Sequence, residues 1–160
     1  MLLSANDLIT TTQLLPGILE LSQAHNPEAG WTLGQDTYKR DQQGLAINSV
    51  QSRSEEQIHI HVCPIGTTAQ TLRDTLSHRK YSDYVTLADV PTVPDVQCRV
   101  APQRGIPISG VAQTIKDFLA KPSVAACDSY VGAGVITDNN DYTWMCISTA
   151  RGAAEYVFCH

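Results

Sequence analysis

The chain has 160 residues, of which 42% are hydrophobic and 17% charged, with a formal net charge of -5. That length and composition describe one globular domain with a core of its own. The acidic balance, with eleven scattered Lys and Arg, excludes a sequence-independent nucleic-acid binder, which needs a basic stripe. It leaves room for a single nucleotide or pyrophosphate held by local donors.

No stretch approaches the ~20 apolar residues of a membrane span, and Met1–Asp7 lacks the basic region of a signal peptide. The five cysteines (63, 98, 127, 146 and 159) show no CxxC spacing, which argues against a zinc knot. Their odd number fits free thiols in a reducing compartment, so a soluble, cytoplasmic chain is expected, with a single disulfide left open as an alternative.

In chain order, residues 5–25 read as helical: Ser4 or Asn6 offers a cap, Leu14, Leu15, Ile18, Leu19 and Leu21 an apolar stripe, and Pro16 an interruption. Residues 26–43, rich in Asn, Gly, Asp and Gln, read as a loop with a short turn around Trp31. A strand is expected over 44–50, a polar turn over 51–56, and a second strand up to Pro64 and Gly66. Thr67 then opens a helix to about Lys80, with Ala69, Leu72 and Leu76 on one face. Strands follow near Tyr84–Ala88 and Val96–Val100, and Val111, Ile115, Phe118 and Leu119 mark an amphipathic helix over 108–120. Residues 129–137 and 142–149 form a hairpin around Asp138-Asn139-Asn140-Asp141; the tail 153–160 is ambiguous. The sum is an α+β fold with a mostly antiparallel sheet and flanking helices.

The second strand carries the chemistry. In Gln57-Ile58-His59-Ile60-His61-Val62-Cys63 the side chains alternate, so Ile58, Ile60 and Val62 line one face and Gln57, His59, His61 and Cys63 the other. The apolar face is core. The polar face is a costly surface unless it meets a ligand, a metal or reacting atoms. A metal site needs a third ligand, yet His25, His78 and His160 lie elsewhere and no Glu occupies a neighbouring strand position. The paired His-x-Ser/Thr motifs of 2H phosphoesterases are absent. A third chemistry is a histidine nucleophile attacking phosphorus, which needs one partner fixing its other ring nitrogen and donors around the phosphate oxygens; a metal-dependent enzyme using His59 and His61 stays open beside it. Cys63 reads better as a half-buried structural thiol than as a nucleophile, and Trp31 and Trp144 as core or pocket wall.

The run from Gly44 to Val62, with its Ala46-Ile47-Asn48-Ser49 strand, Arg53-Ser54 turn and His59-Ile60-His61 strand, closely resembles the signature of CDP-diacylglycerol pyrophosphatases, a branch of the histidine-triad (HIT-like) superfamily. The Leu-rich helix after it and the hairpin from Tyr130 to Ser148 are similar, less specifically. The resemblance implies a HIT-like fold and hydrolysis of CDP-diacylglycerol to CMP and phosphatidate through a nucleotidyl-histidine, with no metal or other cofactor. It implies His59 as nucleophile, His61 in the third triad position and Gln57 in the first. Asn48, Ser54 and Arg53 fall beside the phosphate, although Arg53 reads equally well as a solvated turn residue.

Two departures accompany the match. Gln57 stands where a full triad has histidine, and glutamine orients a neighbour but takes up no proton. Set against the family, the chain is also expected to lack its N-terminal segment, which includes early strands and often a membrane anchor. Losing those strands would bare a sheet edge, which proteins usually cover or pair, so a homo-oligomer is expected, as in many HIT proteins. The rival expectation is a non-hydrolytic binding or biosynthetic-accessory protein on the same fold.

Overall fold

The computed structural model describes residues 2–5, 7–53, 56–124 and 128–160. Eight strands, β1 (Leu2–Ala5), β2 (Leu8–Thr11), β3 (Gln43–Ile47), β4 (His59–Pro64), β5 (Ala88–Asp89), β6 (Val96–Val100), β7 (Gly132–Thr137) and β8 (Thr143–Ser148), form one sheet. Their order is β1-β2-β4-β3-β7-β8-β6-β5, and every pairing is antiparallel. Four α-helices flank it: α1 (Ala29–Thr37), α2 (Thr67–Ser77), α3 (Val111–Leu119) and α4 (Ala154–Phe158). The fold is α+β, as the element pattern indicates.

The strand alternation sorts the core into two layers. Leu45, Ile47, Ile58, Ile60, Val62, Val135 and Ile147 pack with Trp31 of α1 and Ile115 of α3. Ala46, Ile136, Trp144 and Cys146 pack on the other face with Leu72 and Leu76 of α2 and Phe158 of α4. The hairpin β7–β8 closes as its turn residues predict. Asp138 accepts hydrogen bonds from the backbone N–H groups of Asn140 and Tyr142, from Trp144 Nε1 and from Tyr81 Oη, while Asp141 takes the left-handed conformation, φ 67°.

Three expectations are corrected. Residues 5–25 are not a helix: β1 and β2 form a hairpin turned at Asp7, φ 62°, and only Ile18–Gln23 winds, as a 3₁₀ turn. The β-branched run Ile9-Thr10-Thr11 favours a strand, and β2 pairs with β4 along Leu8↔His61 and Thr10↔His59. The edge of β4 is therefore covered within the chain, and β1 is the outer strand on that side. Residues 29–37 are not loop but α1, held by tertiary bonds: Gln35 exchanges two hydrogen bonds with the Ile108 backbone, and the Glu28 carboxylate accepts from the first N–H groups of α3. Near Tyr84 the chain forms a 3₁₀ turn, Tyr81–Tyr84, leaving β5 only two residues.

The free-thiol expectation is also overturned. Cys63 pairs with Cys159 and Cys98 with Cys146, at Cα–Cα separations of 5.4 and 4.1 Å; Cys127 lies outside the described residues. Such bonds persist in oxidising surroundings, so cysteine count no longer argues for a reducing compartment. Among the described residues no helix is long and apolar enough to cross a membrane.

The ambiguous tail is the short helix α4, laid on the sheet where side chains are missing. A Cβ on Gly134 would meet the Phe158 ring, and one on Gly44 the Phe158 carbonyl. Glycine in a strand marks such a close approach. The Cys63–Cys159 bond ties the end of α4 to the histidine strand.

Candidate functional site

Strand β4 presents its two histidines to the face that carries α4. The register Ala46↔His61 places Asn48, just past β3, beside them. His59 is 7% exposed, and its Nδ1 lies 2.8 Å from the Gln57 carbonyl oxygen. A carbonyl only accepts, so Nδ1 carries the proton and the neutral ring keeps its lone pair on Nε2. That nitrogen is 3.1 Å from His61 Nε2, with the rings edge to face at 4.7 Å.

His61 Nε2 is the hub. Besides His59 it meets Glu155 Oε2 at 3.2 Å and Asn48 Nδ2 at 3.4 Å. The Asn48 amide is held in place by Glu155, whose backbone N–H donates to Asn48 Oδ1 at 3.1 Å. The structure thus brings together His59, His61 and Asn48 and adds Glu155 of α4.

The other expected site residues are placed differently. The Gln57 side chain turns to the exit of β2, donating to the Thr11 and Gln13 carbonyls at 3.0 and 2.6 Å. Both amide hydrogens are taken, so its bond to His59 runs through its own carbonyl. Arg53 donates to the Pro16 carbonyl and lines, with Asn48, Gln57 and His59, a narrow cleft at the ends of β3 and β4. Ser54 lies outside the described residues. A larger cavity of about 500 Å³ reaches His59 from its other side, walled by Ile9, Leu15, Leu21, Trp31, Ile58 and Ile60. His59 therefore borders a narrow cleft and a roomy apolar pocket.

Burial pushes the His61 imidazole below its ordinary value of 6.5; His59 and His160 push the same way, and the Glu155 carboxylate opposes them. The unfolded chain then binds the proton more tightly than the folded one. The stability this contributes is whole above about pH 6.5 and is lost as the pH falls through the folded value. Melting temperature should fall with acidification below that point, and His61→Gln should flatten this part of the profile; an unchanged slope would discount His61 as its source.

Glu155 is the residue that sequence reasoning missed. A five-residue helix is too short to show a period, but the Gly132-x-Gly134 pattern, with Gly44 on the neighbouring strand, signals that something packs tightly on that face. Among the described residues no cluster of three His, Cys, Asp or Glu is arranged to hold a metal ion. Neither the protein-family models nor the curated proteins contain a match to this chain.

Proposed function

We propose that this protein is a phosphoric-anhydride hydrolase on a HIT-like fold that cleaves CDP-diacylglycerol to CMP and phosphatidate. The observation that carries the reading is the pinning of His59 Nδ1 by the Gln57 carbonyl, which leaves the Nε2 lone pair beside His61. In the first step that lone pair bonds to the CMP-bearing phosphorus. The P–O bond to the second phosphate breaks, and phosphatidate departs with the electron pair. The imidazole becomes cationic, and the Gln57 carbonyl stabilises its Nδ1–H. In the second step water adds to phosphorus, the P–N pair returns to His59, and CMP is released.

Asn48 and Arg53 border a narrow cleft beside His59, while the apolar cavity lies on the α1 side of β4, across the sheet from the face to which the histidines point. No metal or cofactor enters this scheme.

A second reading, a non-hydrolytic binding or accessory protein on the same fold, draws on one observation: the Glu155 carboxylate against His61 sets negative charge where a substrate phosphate would approach. The deciding experiment incubates metal-free protein with CDP-diacylglycerol and simpler CDP esters and follows CMP. Release that disappears in His59→Ala supports the hydrolase; ligand binding without release supports the second reading.

A further inference from the structure

Hydrolysis through a phosphoramidate has a requirement that the two histidines leave unmet. The attacking water must lose a proton, and a base beside the phosphorus has to receive it. His59 is then occupied by phosphorus, His61 Nε2 meets a carboxylate oxygen that only accepts and so already carries its proton, and Gln57 takes up no proton. The water stands in line beyond the phosphorus, at a near-attack distance of about 3–3.5 Å, so the base must lie a few ångströms from His59 Nε2 and be reachable from solvent.

Among the described residues, one carboxylate meets both conditions. Glu155 Oε2 is a hydrogen-bond length from His61 Nε2, itself a hydrogen-bond length from His59 Nε2. The Glu155 side chain is 25% exposed, whereas His59 is buried. Its position is over-determined: the Asn48 amide holds its backbone N–H, Phe158 seats α4 against Gly134, and Cys159 ties the helix end to Cys63. The groups facing it are His61 and Asn48 across the site, with His59 behind His61 and His160 at the chain end.

We propose that Glu155 is the general base for the second half-reaction, taking the proton from the water that resolves nucleotidyl-His59. In that step the water O–H bond breaks and its proton passes to the carboxylate. The water oxygen forms the new P–O bond, and the P–N electron pair returns to neutral His59. His61 Nε2 holds the carboxylate between turnovers. The assignment rests on the nucleotidyl-histidine reading above and adds to it which side chain drives release.

The test is rapid-quench kinetics and intact-mass measurement with CDP-diacylglycerol in detergent micelles, comparing wild type, Glu155→Gln, Glu155→Asp and His59→Ala. Glu155→Gln keeps the backbone bond to Asn48, and a melting curve verifies its fold. It should release about one equivalent of phosphatidate per site at a near-normal rate. CMP release should then slow about 10²- to 10³-fold, while a cytidylyl adduct builds up and maps to His59. Glu155→Asp should recover part of the second step.

A Glu155→Gln enzyme that turns over at or above the wild-type rate would overturn the assignment. So would a variant slowed equally in both steps with no adduct, while His59-dependent CMP release in wild type kept the hydrolase reading intact. If His59→Ala released CMP as fast as wild type, or wild type released none, the hydrolase reading itself would fall and take this one with it.

Discussion

His59→Ala should lower CMP release by about 10⁴-fold or more, the range seen when a covalent nucleophile is removed. Among the described residues, no neighbour replaces it. His61 Nε2 faces Glu155 and Asn48, and Cys63, the next residue on that face, is bonded to Cys159. The fold should survive, because the substitution deletes two side-chain hydrogen bonds, to the Gln57 carbonyl and to His61 Nε2, each worth about 1 kcal/mol, from a strand paired on both sides. His61→Ala should cost less, about 10²- to 10³-fold, the scale of losing one well-placed donor. Equal losses in the two variants would mean that they act as one unit and that the nucleophile is not separable by mutation.

The second large effect is structural. The Cys63–Cys159 bond spans 96 residues of sequence, and closing so long a loop restricts the unfolded chain. The double variant Cys63→Ala/Cys159→Ala should lose about 2–4 kcal/mol, lowering the melting temperature by about 2–4 °C per kcal/mol for a chain of this size. Because α4 has only five residues, it does not hold itself together as a helix and depends on its anchors. Freed at that end, it should present Glu155 less reliably, so CMP release should fall more than phosphatidate release. A melting temperature unchanged from wild type would mean that Phe158 against Gly134 suffices to seat the helix.

These expectations separate what the sequence made legible from what it did not. The alternation around His59 and His61 was readable because a strand's period of two needs only four or five residues to show itself. The turn at Asp138–Asp141 was readable because its side chains make the turn themselves. Residues 14–21 misled because a dense run of Leu and Ile satisfies a helical stripe while also suiting an extended segment and a 3₁₀ turn, and burial of Leu15, Ile18 and Leu21 is common to both. Helix α1 was hidden because its nine residues include two glycines and its stability comes from distant partners, Ile108 and the start of α3. The candidate site divides the same way. His59, His61 and Asn48 lie within one local signature, whereas Glu155 is 107 residues from the Asn48 it touches.

The two cross-links are nested, since Cys98–Cys146 lies wholly within the loop that Cys63–Cys159 closes. A protease cut at any peptide bond between residues 63 and 159 would therefore leave the fragments covalently joined, and between 98 and 146 they would be joined twice. A nicked chain would migrate as two pieces only after reduction. Until then, the sheet, the histidine strand and the helix bearing Glu155 would travel as a single molecule.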